Sequence, residues 1–134
     1  MEIASISGWE GHILAGRKYL KTARNGLHRP EVFNNELIFQ LAAMAVERLM
    51  VGVFQYHKQM PTDHTLSGLV KGLEPICPVG HDLARRIKEI EGIDEMCPLT
   101  ASLRVEPDRT AVAKILDTGS RVEDFVKAHV PWDD

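Results

Sequence analysis

Two charged residues, Glu47 and Arg48, interrupt the most apolar stretch of the sequence, which runs from Leu37 to Phe54. Neighbouring residues of a helix point about 100° apart around its axis, and charges in apolar surroundings need polar partners. The two residues are therefore either a structural pair that binds neighbouring helices or the polar part of a binding site. His64, which follows this stretch, is either a partly buried, hydrogen-bonded histidine or a member of that site.

The other residues that could do chemistry form no catalytic or metal-binding pattern. The sequence has no glycine-rich phosphate loop and no pair of Cys-x-x-Cys motifs. Cys77 and Cys97 lack a nearby histidine pair, so we expect two ordinary thiols and no zinc site. His12 and His28 bracket the first predicted helix, and we expect both to be exposed. A Ser/His/Asp triad is recognised by geometry and nothing favours one, so we expect no catalytic residue, metal or cofactor.

The charge of the chain is distributed unevenly. Residues 1–60 carry seven Lys/Arg and five Asp/Glu, whereas residues 61–134 carry nine and fourteen, for a net charge of −3. The basic cluster consists of Arg17, Lys18, Lys21, Arg24 and Arg29. Such a run is usually a solvated helix face, and proteins that bind along nucleic acids show a longer basic stripe. We therefore expect no extended nucleic-acid surface.

Apolar periodicity predicts four long helices and one short one. The predicted ranges are 8–27, 36–59 with a start as early as 31, 64–73, 80–91 and 107–130. The predicted boundary residues are Ser7 with Glu10 as a capping box, Thr62 or Asp63 as N-cap, Gly92 as the stop of the fourth helix and Pro107 in the first turn of the fifth. Gly119-Ser120 indicates a bend or a close helix contact.

These elements predict an all-α fold, namely an up-and-down four-helix bundle with an additional short helix, in a single domain over 1–134. Residues 93–107 are expected to form a long loop, and 131–134 a loose tail. The sequence contains no alternating strand pattern.

The second predicted helix is long and apolar enough to be considered as a membrane span. Glu47 and Arg48 near its middle would each cost about 2.5 to 3.5 kcal/mol in a bilayer, so we expect a buried helix. One small bundle cannot easily cover a helix that is apolar on nearly all sides, which favours a homodimer through this helix. The first residues lack the pattern of a secretory signal, and we expect a cytoplasmic protein.

Three segments resemble the HEPN family (the higher eukaryotes and prokaryotes nucleotide-binding domain). They are RKYLKTARNGL at 17–27, AAMAVERLMVGVF at 42–54 and HTLSGLV at 64–70. The positions that carry the resemblance are Leu20 and Ala23, then Glu47 and Arg48, then His64, Leu66 and Leu69. The resemblance covers nearly the whole chain and implies a helical bundle that binds a nucleotide or related phosphate, or that accompanies a minimal nucleotidyltransferase in a toxin–antitoxin-type pair.

Ribonucleases of this family carry an arginine, four to six further residues and then a histidine. No arginine here has that spacing: Arg24 and His28 have three residues between them, and Arg121 and His129 have seven. The resemblance therefore implies a non-catalytic binding module, with a ligand site at Arg17, Lys18, Glu47, Arg48 and His64. Two alternatives stay open: a ribonuclease that uses Arg121 and His129 as a displaced pair brought together across a dimer, and a purely structural dimerising protein.

Overall fold

The long second helix lies at the centre of the fold, and the other helices pack against it or against one another. A computed structural model of the chain describes residues 8–95 and 107–131, without the side chains of 92–95. Its five helices are α1 (Trp9–Gly26), α2 (Asn35–Tyr56), α3 (Leu66–Leu73), α4 (His81–Glu95) and α5 (Arg109–His129). No strand occurs in the described part of the chain. The predicted all-α bundle with a short additional helix is thus confirmed.

Two glycines allow α1 and α2 to pack closely. A Cβ added at Gly16 would lie 2.7 Å from Leu49 Cγ, and one added at Gly52 would lie 2.5 Å from Ile13 Cδ1. Residue numbers rise along α1 as they fall along the facing part of α2, so the two helices are antiparallel. This hairpin is the most extensive helix pair of the fold.

Helix α5 covers another side of the α1–α2 hairpin. A Cβ at Gly119 would lie 2.8 Å from Leu20 Cδ1, so the predicted close contact at Gly119 is confirmed. One turn further along both helices, the Arg24 guanidinium donates to Ser120 Oγ at 2.7 Å and to Glu123 Oε1 at 2.8 Å. Helices α1 and α5 therefore run in the same direction.

The ends of the first two helices differ slightly from prediction. Helix α1 has Gly8 as its N-cap without a side-chain cap bond, and the predicted capping residue Ser7 lies outside the described residues. Helix α2 begins after Asn34, whose side chain accepts from the Leu37 N–H. It ends at Tyr56 and not at Gln59, because Lys58 has a left-handed φ of 61°. The N–H groups of Lys58 and Gln59 donate to the carbonyls of Gln55 and Phe54, which is a Schellman motif.

Three further boundary predictions were wrong. Thr65 is the N-cap of α3, two residues later than Asp63, because the Asp63 carboxylate accepts hydrogen bonds from Thr65 itself. Helix α4 continues through Gly92 to Glu95, as a helix can at a cost of about 1 kcal/mol for a glycine. Pro107 precedes the N-cap of α5, which is Asp108.

The remaining predictions about loops concern segments that the structure describes only in part. Residues 93–95 of the predicted long loop are helical, and 96–106 lie outside the described residues. The same holds for 132–134 of the predicted tail.

Helix α2 has the length and composition of a membrane span. Its mean hydropathy over 18 residues reaches 1.7, and 61% of that window is buried inside the bundle. Leu49, Val46 and Met50 at its centre are completely buried. The helices packed around α2 therefore account for its apolar composition as that of a core helix.

Candidate functional site

The structure brings Glu47 and His64 into contact on the surface of the bundle. His64 Nδ1 lies 3.5 Å from Glu47 Oε2, and both side chains are about half exposed. The contact is an ion pair only when His64 is protonated. The apolar segment around Glu47 is thus buried, but Glu47 itself reaches the surface and joins the loop that precedes α3.

A capping structure at the start of α3 holds His64 in place. Asp63 Oδ1 accepts from the Thr65 N–H at 2.9 Å and from Thr65 Oγ1 at 2.8 Å, and Thr65 Oγ1 accepts from the Gly68 N–H. These bonds hold the pKa of Asp63 below its ordinary value, the Thr65 N–H being the largest cause. Gly68 is required because an added Cβ would collide with the Asp63 carboxyl group. His64 is therefore placed between two residues of one hydrogen-bonded turn.

Arg48 points to a different side of α2 from Glu47 and is half buried. Its Nε is inaccessible to solvent and has no hydrogen-bond partner among the described residues. A buried donor without a partner costs about 1–3 kcal/mol. A buried donor of this kind is a position at which an ordered water or a ligand group can bind.

His12 of α1 lies close enough to Arg48 and His64 to feel their charges. Burial lowers the pKa of His12, and the charges of Arg48 and His64 lower it further. His12 Nδ1 is buried and has no hydrogen-bond partner within the described ranges. The expected exposure of His12 was thus wrong, whereas His28 is exposed as predicted.

The sequence did contain a signal for His12. It lies four residues before Gly16, which contacts α2, and residues four apart share one face of a helix. The spacing alone does not identify His12 as partly buried, because the same spacing occurs at many exposed positions. The contact of Gly16 with α2 has to be known as well.

Arg17 and Lys18, the other two predicted site residues, point to other sides of α1. Arg17 is about 140° from His12 around the helix axis and lies on the same side as Arg24, which binds α5. Lys18 is rotated by a further 100° or so and is exposed. The structure thus brings together Glu47, Arg48 and His64 of the predicted site and adds His12.

Aromatic residues lie at the same end of the α1–α2 hairpin. The ring of Trp9, three residues before His12, meets Tyr56 edge to face with centroids 5.2 Å apart. Tyr56 contacts His57 in the same way. Tyr56 keeps 36% of its surface exposed, so this end of the hairpin presents a partly exposed aromatic ring.

The displaced ribonuclease pair is not assembled within one chain. Arg121 Nε donates to Asp117 Oδ2 at 2.9 Å, and this bond raises the pKa of Arg121. His129 Nδ1 lies 2.9 Å from the Phe125 carbonyl oxygen. Eight residues of helix separate the two backbone positions by about 12 Å along the axis, and each side chain contacts a neighbour on its own helix, so the two do not form a pair within one protomer.

The described part of the chain contains no group of three His, Cys, Asp or Glu side chains suited to a metal ion. Cys77 is buried, and burial raises the pKa of its thiol. Cys97 lies outside the described residues.

No protein-family model and no curated protein matches the chain. Among solved structures, the chain is similar to the crystal structure of TT1696 from Thermus thermophilus, with a TM-score of 0.74 and 18% sequence identity. The similarity covers 91% of this chain and 98% of that one. At this identity it supports the bundle fold alone.

Proposed function

We propose that this protein is a HEPN-like, non-catalytic binding module that holds a nucleotide or related phosphate ligand as a cytoplasmic homodimer. The observation that carries the proposal is Arg48, whose buried Nε lacks a partner in the described part of the chain, beside the Glu47–His64 contact. Arginine binds phosphate by charge-assisted hydrogen bonds. A phosphate toward which the Arg48 side chain turns would supply the acceptor that its Nε lacks.

The position of Tyr56 favours a nucleotide over a bare phosphate. Tyr56 lies eight residues after Arg48, about 12 Å along α2, and its ring is held edge to face by Trp9. A base stacked on an aromatic side chain contributes about 1–3 kcal/mol. A ligand with a phosphate at one end and a flat ring at the other therefore fits this end of the hairpin.

Thermal unfolding with and without ATP tests the binding proposal. A ligand at 100 times its dissociation constant adds about 2.7 kcal/mol to the free energy of unfolding, and inorganic triphosphate should add less if Tyr56 binds the base. Arg48→Gln should abolish the stabilisation. Arg109→Gln, which removes an exposed charge at the start of α5, should preserve it. Equal stabilisation of both variants would contradict the proposed site.

The homodimer is proposed through one side of the α1–α2 hairpin. Leu37, Leu41, Met44 and Arg48 follow one another along α2 at spacings of four, three and four residues, which is one helix stripe. Leu37 is 40% exposed and Met44 is 42% exposed. Burial of such apolar surface against a second copy is favourable by about 25 cal/mol per Å².

Light scattering after size-exclusion chromatography tests this face. Met44→Lys should produce monomers, because a partner would bury an unpaired charge. Leu14→Lys is the matched control: Leu14 is 50% exposed but lies about 160° from the α2-facing side of α1. A monomeric wild-type chain, or dissociation by the Leu14 variant alone, would exclude the proposed interface.

The family resemblance further suggests a minimal nucleotidyltransferase as partner in a toxin–antitoxin-type pair. Co-elution of this protein with a small nucleotidyltransferase encoded by an adjacent gene would support that part of the proposal.

The ribonuclease alternative predicts RNA cleavage that His129→Ala abolishes. We expect no cleavage that depends on His129, since its ring is engaged with Phe125.

A further inference from the structure

Two buried nitrogen atoms, one on α1 and one on α2, both lack a hydrogen-bond partner in the described part of the chain. His12 Nδ1 on α1 and Arg48 Nε on α2 are both inaccessible to solvent, and neither has a hydrogen-bond partner among the described residues. Native proteins pair the great majority of their buried polar atoms. Arg48 lies next to Leu49, which packs against Gly16 one turn after His12, and its charge acts on His12, so one group between the two helices could serve both atoms.

The chemistry of the two side chains restricts that group. Arginine can only donate hydrogen bonds, and a histidine ring nitrogen can donate when it carries a proton. A water molecule or an oxyanion can accept from both nitrogens, and the positive charges of Arg48 and a protonated His12 favour the oxyanion. The nearby carboxylate of Glu47 is engaged with His64 instead.

We propose that His12 is a second contact residue of the ligand site, and that it takes up a proton from solvent when it and Arg48 bind one oxyanion of the ligand. This inference rests on the proposed function and deepens it, because it names a binding residue on α1 and couples binding to pH. Both atoms are covered in the free protein, so binding requires the side chains of His12 and Arg48 to turn toward the anion.

The direction of the coupling follows from the surroundings of His12. In the free protein, burial, Arg48 of α2 and His64 of the loop before α3 all lower the pKa of His12. An anion next to the ring favours the imidazolium form, so the pKa of His12 rises in the complex. A group that binds a proton more tightly in the complex strengthens binding as the pH falls. Affinity for the anion should therefore increase from pH 8 to pH 5.5.

Sulfate is a suitable probe because it stays a dianion over this pH range. The experiment is an NMR titration of the His12 imidazole with sodium sulfate, with sodium chloride at equal ionic strength as the reference. It is repeated in the His64→Asn background, because the charge of His64 also acts on His12. We expect sulfate to raise the pKa of His12 and not that of the exposed His28.

Two substitutions separate hydrogen bonding from proton uptake. His12→Leu removes the donor and should weaken sulfate binding tenfold or more, which is the loss expected for a hydrogen bond to a charged group. His12→Asn keeps a donor that does not titrate, so it should retain more of the affinity at pH 8 and lose the part of the pH dependence due to His12. His28→Asn is the control and should change neither quantity. Melting temperatures show whether each variant is folded.

The outcomes distinguish the inference from the function on which it rests. If Arg48→Gln abolishes sulfate binding while His12→Leu binds like the wild type, His12 is not a contact residue and the anion site at Arg48 stands. The inference is also overturned if sulfate leaves the pKa of His12 unchanged. If the wild type binds neither sulfate nor ATP, both the inference and the proposed function fail.

Discussion

At the scale of single residues, the important distinction is between charges that the fold pairs and charges that it leaves unpaired. Arg86 binds Asp82 at 3.0 Å and Asp117 at 3.3 Å, so it joins α4 to α5. Arg48 is similarly half buried, yet its Nε has no partner in the described ranges. The contacts within the fold explain the position of Arg86, whereas the proposed ligand would supply the partner that Arg48 Nε lacks.

This difference predicts opposite effects of the same substitution. Arg48→Met removes a buried donor without a partner and should raise the free energy of unfolding by about 1 kcal/mol, while ligand binding is lost. Arg86→Met removes a link between two helices and should leave stability unchanged or lower it by up to about 1 kcal/mol. Urea unfolding of both variants measures these changes in the free energy of unfolding. A destabilised Arg48→Met would show that Arg48 has a structural role.

Asp82 provides a test of charge pairing by pH. Hydrogen bonds from Arg86 and then Arg85 hold the pKa of Asp82 below its ordinary value of 3.8. The folded pKa is the lower one, so the stabilisation is complete above pH 3.8 and is lost as the pH falls through the folded pKa. Asp82→Asn should therefore be less stable than wild type at pH 6, and the difference should shrink below pH 4. A constant difference between pH 6 and pH 2 would contradict this assignment.

At the scale of elements, the end of α2 determines where the loop that carries His64 begins. The Schellman motif turns the chain at Lys58, which has a φ of 61°, and the following residues lead to the Asp63–Thr65 turn. Glycine usually takes this position, because other residues pay about 1–2 kcal/mol for a left-handed conformation. A lysine there gives the sequence no sign that the helix ends, which is why the predicted end at Gln59 was three residues late.

The strain at this turn predicts a substitution that stabilises the protein. Lys58→Gly should raise the free energy of unfolding by about 1 kcal/mol, because glycine adopts the left-handed conformation without a steric penalty. Lys114→Gly on the exposed face of α5 should lower it by about 1 kcal/mol, because glycine is unfavourable within a helix. Denaturant midpoints of the two variants should move in opposite directions. Movement in the same direction would argue against relief of strain at Lys58.

At the scale of the whole molecule, α2 serves the core along one side and the candidate site along another. Leu49 is completely buried against Gly16 of α1, whereas Arg48 and Glu47 of the same turn reach the site. Leu37 and Met44, which lie on the same stripe as Arg48, stay partly exposed. One helix thus provides much of the core and carries the residues proposed to bind the ligand and the second copy.

Replacing a leucine by alanine should lower stability much more in the buried core than on the exposed surface. Leu49→Ala should lower the free energy of unfolding by about 2–5 kcal/mol, as for other buried leucines. Leu14→Ala, at a side chain that is 50% exposed, should change it by less than about 0.5 kcal/mol. Thermal and urea unfolding of both variants measure the contrast. A small effect at Leu49 would mean that the α1–α2 packing contributes little to stability.

The sequence by itself determined the helices, their approximate ranges and the central place of the second helix. Those properties depend on local spacing: apolar residues every three or four positions, and charges on the outer faces of α1 and α4. The sequence also singled out Glu47, Arg48 and His64, because polar residues are unusual in or next to so apolar a segment.

Only the tertiary structure decided which polar residues meet. His12 and Arg48 are 36 positions apart in the sequence, and their proximity depends on the register in which Gly16 and Gly52 allow α1 to pack on α2. Arg17 and Lys18 belong to the same helix as His12, but its rotation against α2 directs them to other sides. Helix rotation and register arise from packing over many residues, so no local pattern could separate the members of the candidate site from their neighbours.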